Sequence, residues 1–310
     1  MSSSVPPEPV APPIHHHTTR PLDAMAIAIV VLLCLSWGFN HVAVKLAFHD
    51  VPPMLQATIR SVVAMILVAG WCAARRIPLF RRDGTLIAGL LAGAMFGVEF
   101  ILIYQGLLYT TATRAAVFLY LAPFIIVIGS RIFLPADRFR PSQWLGLGLS
   151  FIGMVVAFGL PTPALDPRQT LGDVMMVVAA FVWAGTTLTI KASRLNGTSP
   201  EKVMLYQLVV SAPMMAFCAW FAGERITNWP DSQALGWLAY QSIWVVSVTF
   251  VIWFALIKKY SASRVSAFTF LTPLFGVAAG HFVLGEPLTP AFMAAVVFVA
   301  AGLVLVNRVK

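Results

Sequence analysis

The sequence predicts an all-α integral membrane protein in which ten transmembrane helices form two inverted five-helix repeats around a central cavity. Three observations lead to this fold class. First, 59% of the 310 residues are hydrophobic, only 11% are charged, and the mean hydropathy of +0.84 exceeds what a soluble core can hide. Second, the apolar residues are grouped in ten separate stretches. Third, the two halves of the chain resemble each other.

Each apolar stretch is close to the roughly 20 residues that cross a bilayer core about 30 Å thick. Short polar breaks separate the stretches, and none of these breaks is long enough to hold an inserted soluble domain. In chain order, the predicted helices cover residues 24–44, 54–74, 86–109, 114–134, 142–160, 171–191, 203–222, 235–257, 264–284 and 288–306.

Residues 1–23 precede the first helix and contain many prolines but few large apolar side chains. Such a segment cannot build a core, so we expect a disordered, proline-rich cytoplasmic tail. The first helix is longer than a signal-peptide core and no clear cleavage site follows it, so it is predicted to remain in the protein. The two five-helix repeats are predicted at residues 24–160 and 171–307.

The repeat is clearest where Thr110–Leu134 returns as Tyr260–Leu284, shifted by 150 positions, with Pro123 matched by Pro273. Because five helices is an odd number, the second half enters the membrane from the opposite side. Such inverted repeats suit alternating access, in which two halves open one midplane site to either face in turn. A duplicated channel or scaffold without this mechanism is the alternative.

The basic residues indicate the orientation of the chain. Most of its 21 lysine and arginine residues fall on one side of the membrane, in the loops and tails that are cytoplasmic if both termini are cytoplasmic. The net charge is +9, but the basic residues form no continuous stripe, so nucleic acid is not predicted as a partner. The motifs of zinc proteases, serine hydrolases and P-loop ATPases are missing from the sequence, which predicts no enzyme activity, no cofactor and no metal site.

Three sequence motifs carry a resemblance to a known family. They are Trp37-Gly38 followed by Lys45, Phe270-Leu271-Thr272-Pro273, and Leu284-Gly285-Glu286-Pro287-Leu288-Thr289. With them, residues 24–307 resemble the EamA-type transporters of the drug/metabolite transporter superfamily, and look most similar to the bacterial aromatic amino acid exporters (YddG-like). The resemblance implies a multi-pass protein of the bacterial inner membrane, with helices 1–4 and 6–9 around the cavity and helices 5 and 10 at the periphery.

Two ionisable residues lie deep within predicted helices, where a charge is costly and often functional. Glu99 lies roughly 20 Å from the inner end of helix 3 and Arg60 roughly 10 Å from the outer end of helix 2, so their depths coincide. Glu99 is also about 200° around the helix from the small residue Gly97, and should therefore face a cavity. Either Glu99 couples protons or binds a substrate ammonium, or a Glu99–Arg60 ion pair only holds helices 2 and 3 together.

Asn40 and His41 reach a similar depth late in helix 1 and complete the set of coupling or substrate-binding candidates. The imidazole of His41 could titrate near neutral pH, although a lone histidine on a helix is often hydrogen-bonded structure. The charges do not recur in the second repeat, where Thr249 replaces Glu99 and Gln207 replaces Arg60. Residues present in only one half are better candidates for ligand or coupling roles.

Aromatic side chains recur at matched positions of the two halves and could form a cage around a ligand. Trp37 and Trp183 are repeat mates, and each shares a helical face with polar groups. The alternative is ordinary packing and interfacial anchoring. The cavity-lining candidates are Trp37, Phe100, Tyr104, Trp183 and Thr187.

Pro123 and Pro273 are predicted to kink helices 4 and 9 and are hinge candidates, because proline removes a backbone hydrogen bond. Together these features predict a secondary exporter of small amphiphilic metabolites, with aromatic amino acids as the favoured substrate. Its partners would be this substrate, the lipid bilayer and, if transport is coupled, protons. An exporter of lipophilic cations or of other metabolites is the first alternative; a passive channel or an intramembrane enzyme is less favoured.

Overall fold

The computed structural model describes residues 22–47, 50–80, 83–110, 112–134, 139–158, 166–284 and 290–308. Most of the predicted tail, residues 1–21, lies outside this part of the chain. The first repeat contains α1 (Ala24–Ala47), α2 (Pro53–Ala74), α3 (Leu86–Gly106), α4 (Ala112–Leu119), α5 (Ala122–Phe133) and α6 (Pro141–Phe158). The second contains α7 (Pro167–Ala192), α8 (Pro200–Phe221), α9 (Ser232–Ala239), α10 (Phe250–Lys259), α11 (Ala262–Ala267), α12 (Leu271–Leu284) and α13 (Pro290–Asn307).

These helices form ten spans, as predicted. Spans 1, 2, 3 and 5 are α1, α2, α3 and α6, whereas span 4 joins α4 to α5. Spans 6, 7 and 10 are α7, α8 and α13; span 8 joins α9 and α10, and span 9 joins α11 and α12. Within the described residues, eight spans are long and apolar enough to cross a membrane, and spans 4 and 5 are shorter apolar helices. The prediction of an all-α membrane protein is confirmed.

The helix contacts follow the inverted repeat. Span 1 packs on span 9. In the same way span 6, the repeat mate of span 1, packs on span 4, the repeat mate of span 9. Spans 2 and 7 pack on each other across the two halves. Spans 5 and 10 pack chiefly on each other, because Gly146 and Gly302 let their backbones come close. The two ends of the bundle are named here by their loops. The basic end carries the 75–80 and 193–199 connections, and the opposite end carries the 107–110 and 222–231 connections.

Spans 4 and 9 are interrupted rather than kinked. Span 4 breaks at Tyr120–Leu121, and span 9 passes through a 3₁₀ turn at Phe268–Phe270. Pro123 and Pro273 therefore lie in the first turn of the helix that restarts, where an N–H group would lack a helical partner in any case. The sequence did not predict these breaks or the π-helical segment at Tyr240–Thr249 between α9 and α10.

Loops of one half bind helix ends of the other half. At the opposite end, the Glu224 carboxylate accepts hydrogen bonds from the backbone N–H groups of Met54 and Leu55, the first turn of span 2. At the basic end, the Lys202 ammonium, in the first turn of span 7, binds Asp83 at 2.8 Å. Hydrogen bonds from Lys202 and Thr85 hold the pKa of Asp83 well below its ordinary value.

Candidate functional site

A cavity of about 170 Å³ lies between the two halves. Its walls come from spans 1–4 and 6–9, so spans 5 and 10 are peripheral, as the resemblance implied. Most of the lining is apolar and aromatic. The lining residues are Trp37, Asn40, Val44, Arg60, Phe96, Glu99, Phe100, Ile103, Tyr104, Leu107, Leu119, Tyr120, Trp183, Thr186, Thr187, Gln207, Val245, Phe250, Trp253, Phe254 and Thr272.

Glu99 faces this cavity because small residues hold the other side of span 3 against span 7. Gly93 lies against the backbone of Tyr206, and Gly97 lies against Met214, in both cases too close for a β-carbon. Roughly half a helical turn away, the Glu99 carboxylate points into the lining and is 7% exposed. Among the described residues it makes no hydrogen bond or ion pair, so it is available to a ligand.

Arg60 is 2% exposed and binds aromatic faces. Its guanidinium carbon lies 4.4 Å from the centre of the Phe100 ring and 5.7 Å from that of Tyr104. Its Nε atom has no hydrogen-bond partner in the described part of the chain. The ion pairs found there do not include Arg60 with Glu99, so the structure shows no ion-pair link between spans 2 and 3 at this site.

The remaining polar candidates lie on span 1. Asn40 lines the cavity, and its side-chain oxygen is buried without a partner among the described residues. His41 belongs to α1, but its side chain lies outside the described part of the structure. An unpaired buried amide oxygen costs free energy unless water or a ligand binds it. Asn40 therefore adds an acceptor to a site that already contains the Arg60 guanidinium and the Glu99 carboxyl group.

The two repeat-mate tryptophans have different partners. The indole N–H of Trp37 donates to the Thr249 hydroxyl at 2.8 Å. Its ring packs on those of Phe250 and Trp253, with 5.5 and 5.2 Å between ring centroids. Trp183 instead meets the edge of Tyr120 at 5.9 Å. The remaining ring and hydroxyl candidates, Phe100, Tyr104 and Thr187, also lie in the lining.

An ion pair at the opposite end was missed by the sequence reasoning. Asp173 binds both Nε and Nη2 of Arg114 and accepts a hydrogen bond from Thr110 at 2.6 Å. The available signal was Asp173 itself, since a carboxylate inside an apolar span is as unusual as Glu99.

The basic end has a related but weaker contact. The hydroxyl of Tyr260, the repeat mate of Thr110, donates to Asp23 at 2.7 Å. This hydrogen bond is the main cause that lowers the pKa of Asp23 from its ordinary value. Asp23 lies just before span 1, and Asp173 lies in the first part of span 6. Each of them binds the other half of the protein: Asp23 binds Tyr260, and Asp173 binds Thr110 and Arg114.

Ten spans in two inverted halves, around an internal, ring-lined cavity that contains a buried arginine and a buried glutamate, define a multi-pass membrane transporter rather than an enzyme. The EamA-like transporter family matches residues 24–159 and again residues 170–308. The chain belongs to this family, which confirms the resemblance that its motifs indicated.

Known relatives cover nearly the whole chain. A probable amino-acid metabolite efflux pump of Salmonella typhimurium is 26% identical, over 89% of this chain and 92% of its own length. The Escherichia coli protein of the same description is 24% identical, and the uncharacterized transporter YvbV of Bacillus subtilis is 26% identical. A crystal structure with 19% identity superposes with a TM-score of 0.77, covering 90% of this chain and 96% of the other, and shows the same fold.

Proposed function

We propose that the protein exports small amphiphilic metabolites, foremost aromatic amino acids, by alternating access in the bacterial inner membrane. The observation that supports this proposal most directly is a ring-lined cavity that contains the buried guanidinium group of Arg60 and the buried carboxyl group of Glu99, which form no ion pair with each other. An amino acid zwitterion presents the complementary charges at one end and its side chain at the other.

The two charged residues receive distinct roles. Arg60 attracts the substrate carboxylate, since its planar guanidinium can form two parallel hydrogen bonds. Glu99 holds the ammonium group and is the coupling candidate if export is driven by protons. Asn40, with its unpaired oxygen, is placed to accept a hydrogen bond from the same ammonium group. His41 remains a candidate on the strength of the sequence.

The aromatic wall supports a ring-bearing substrate. Apolar cavities of roughly 150 Å³ hold benzene, and this cavity measures about 170 Å³. The rings of Trp37, Phe100, Tyr104 and Trp183 would surround the side chain, and Thr187 adds a hydroxyl. The relatives described as amino-acid metabolite efflux pumps support an amino acid as the substrate class.

The orientation of the protein in the membrane follows from the distribution of its basic residues. The basic end should face the cytoplasm, because lysine and arginine are enriched in cytoplasmic loops. Both termini would then be cytoplasmic. The interruptions of spans 4 and 9 lie just before Pro123 and Pro273, at matched positions, and are proposed as the hinges on which the two repeats, 24–160 and 171–307, rock.

A lipophilic-cation exporter is the second candidate, favoured by the unpaired Glu99 carboxylate among aromatic rings. The two functions make opposite demands on Arg60. A buried cation helps to bind a carboxylate but repels a cationic drug. Replacement of Arg60 therefore separates the candidates.

The test is counterflow of labelled phenylalanine and tryptophan into vesicles that contain the purified protein and are preloaded with unlabelled amino acid. We expect saturable accumulation, and Arg60→Ala should raise KM by at least about tenfold, the loss of a charged hydrogen bond. Arg75→Ala, at an exposed residue outside the cavity, is the matched control and should leave KM unchanged. Accumulation of a quaternary ammonium compound that improves in Arg60→Ala would instead support the cation exporter.

The same vesicles test coupling. Glu99→Gln keeps the size of the side chain but removes its charge, so the pH dependence of the transport rate should change. The other ionisable groups to consider are Arg60 and, from the sequence prediction, His41. A pH profile identical to that of the unmodified protein would remove Glu99 from the coupling role.

A further inference from the structure

The two tryptophans are symmetry mates placed in unequal surroundings. Trp37 of span 1, in the first half, contacts Thr249, Phe250 and Trp253 of span 8, and its indole N–H donates a hydrogen bond to the Thr249 hydroxyl. The repeat mates of Trp37 and Thr249 are Trp183 and Glu99. A strictly symmetric protein would therefore join Trp183 to Glu99.

The helix register brings these two mates to the same level. Spans 3 and 6 pack antiparallel, with Met95, in the middle of span 3, against Gly185, and Gly106, at the end of span 3, against Met176. Glu99 lies one turn beyond Met95, and the facing residue on span 6 then lies about one turn before Gly185, next to Trp183. Both side chains line the cavity.

The bond between them is nevertheless not made. Among the described residues, Glu99 has no hydrogen-bond partner and the ring of Trp183 lies against Tyr120 of span 4. The mate of this tyrosine is Phe270, and Trp37 makes no such ring contact with it in the described structure. Phe100, the mate of Phe250, stacks under the Arg60 guanidinium instead of under Trp183. Of the two symmetry-related pairs, Trp37 and Thr249 are hydrogen-bonded, whereas Trp183 and Glu99 are not.

We infer that Trp183 and Glu99 form the hydrogen bond of the alternative conformation, and that the Trp37–Thr249 bond breaks when it forms. The inference rests on the proposed alternating access, in which inverted halves exchange their conformations. Trp183 is then a positioning residue. In this structure the Glu99 carboxylate is free for a ligand's ammonium group, and in the other conformation the indole N–H occupies it and displaces the ligand.

The arrangement predicts opposite effects from the same chemical change. Trp37→Phe removes a bond of the present conformation and should shift the equilibrium toward the alternative. Trp183→Phe removes a bond of the alternative and should shift it back. Each shift should be about 2- to 10-fold, the usual net effect of one hydrogen bond. Thr249→Val should act like Trp37→Phe, and combining those two should add little.

The measurement is cysteine accessibility without substrate. In a background with Cys34, Cys72 and Cys218 replaced by alanine, Leu107→Cys reports the opposite end of the cavity, where Leu107 is 36% exposed. Thr187→Cys, in a separate protein, reports the basic end. A membrane-impermeant maleimide is added to right-side-out or inverted vesicles, and the ratio of the two labelling rates measures the conformational equilibrium.

We expect Trp37→Phe to raise labelling of Thr187→Cys relative to Leu107→Cys, and Trp37→Phe/Trp183→Phe to return the ratio toward that of the parent. This double variant keeps the test informative even if the present conformation dominates in the parent. The control is Trp71→Phe, since Trp71 faces the lipid side and is 54% exposed, and its ratio should not change.

Two results would overturn the inference: a Trp37→Phe ratio equal to that of the control, or a double variant that stays where Trp37→Phe placed it. Neither depends on the identity of the substrate, because no substrate is added. Failure of amino acid counterflow with these opposite shifts intact would instead reject the proposed substrate and leave the tryptophan exchange standing.

Discussion

Arg60 and Glu99 lie in one cavity but form no ion pair with each other among the described residues. Burial of an unpaired charge costs several kcal/mol even after the protein relaxes, so such residues are expected to have a partner in some functional state. For Arg60 the aromatic faces of Phe100 and Tyr104 offset part of this cost. Glu99 has no comparable contact, which makes a cationic group of a ligand, or a proton, the natural complement.

The ion pair between Arg114 and Asp173 shows what a structural pair in this protein looks like. Both side chains are 10% exposed, the geometry is bidentate, and Thr110 adds a third donor to the carboxylate. Nothing similar joins Arg60 to Glu99 in the described residues. The pair between Arg114 and Asp173 thus joins spans 4 and 6, and Arg60 has no such partner among the described residues.

Asp173→Asn should destabilise the protein strongly, because it leaves the Arg114 guanidinium buried with a weaker partner. Breaking a buried pair costs about 3–5 kcal/mol. The measurement is thermal unfolding in detergent, where we expect a clearly lower Tm. Asp166→Asn is the matched control: Asp166 is an exposed N-cap of the same helix, and asparagine can also accept its hydrogen bond from Arg168. Equal losses in the two variants would contradict a structural role for the pair.

At the scale of helices, close packing between span 1 and span 9 depends on Gly38. A β-carbon at this position would lie 2.6 Å from the Thr272 carbonyl oxygen and 2.7 Å from the Gly276 backbone nitrogen. Backbone atoms cannot move aside as a flexible side chain can, so the two spans must separate to admit a methyl group. Span 9 is also interrupted at Phe268–Phe270. There the backbone carbonyl of Phe268 accepts a hydrogen bond from the Cys34 thiol of span 1 at 3.3 Å.

Gly38→Ala should therefore lower the free energy of unfolding by about 1–3 kcal/mol through overpacking. Gly70→Ala is an informative comparison, because a β-carbon at Gly70 in α2 would meet no atom within 4 Å. There the substitution should be neutral or stabilise by about 0.5–1 kcal/mol through helix propensity. Thermal unfolding of the two variants in one detergent checks both signs, and a Gly38→Ala protein as stable as the parent would refute the packing argument.

The helices themselves were largely predictable from the sequence, because a bilayer of fixed thickness imposes a length on every span. The interruptions were not. Proline at positions 123 and 273 predicts a disturbed helix, but whether the helix bends or ends depends on which neighbours take the released carbonyl groups. The π-helical segment of span 8 has a composition like that of any other span, so nothing in the residues indicates the change of period.

At the scale of the whole molecule, the cavity position followed from the repeat and from helical faces. Helical periodicity tells which side of a span a residue such as Trp37 or Glu99 occupies, and the structure places both in the same lining. Periodicity does not tell which partner a side chain chooses across the cavity. Whether Arg60 contacts a carboxylate or an aromatic ring depends on how both halves pack around the cavity. The same holds for the hydrogen bond between Trp37 and Thr249.

The two halves are also tied at their surfaces, and the tie between Asp83 and Lys202 makes stability depend on pH. Hydrogen bonds from the Lys202 ammonium and Thr85 lower the pKa of Asp83 from its ordinary 3.8. A carboxyl group whose pKa is lower in the folded state stabilises that state above its ordinary pKa, and this contribution is lost as the pH falls through the folded-state pKa. The tie should thus be complete at neutral pH and weaken below about pH 4.

Asp83→Asn removes the charge at every pH and should lower Tm at pH 7. The Tm difference between the parent and Asp83→Asn should then shrink as the pH is lowered below about 4, because the parent loses the same charge by protonation. Asp231→Asn serves as the control, since Asp231 caps α9 through Ala234 at the other end of the bundle and lies in an exposed loop. A Tm difference that stayed constant from pH 7 to pH 3 would mean that packing around Asp83, and not its ionised form, connects the first half to span 7.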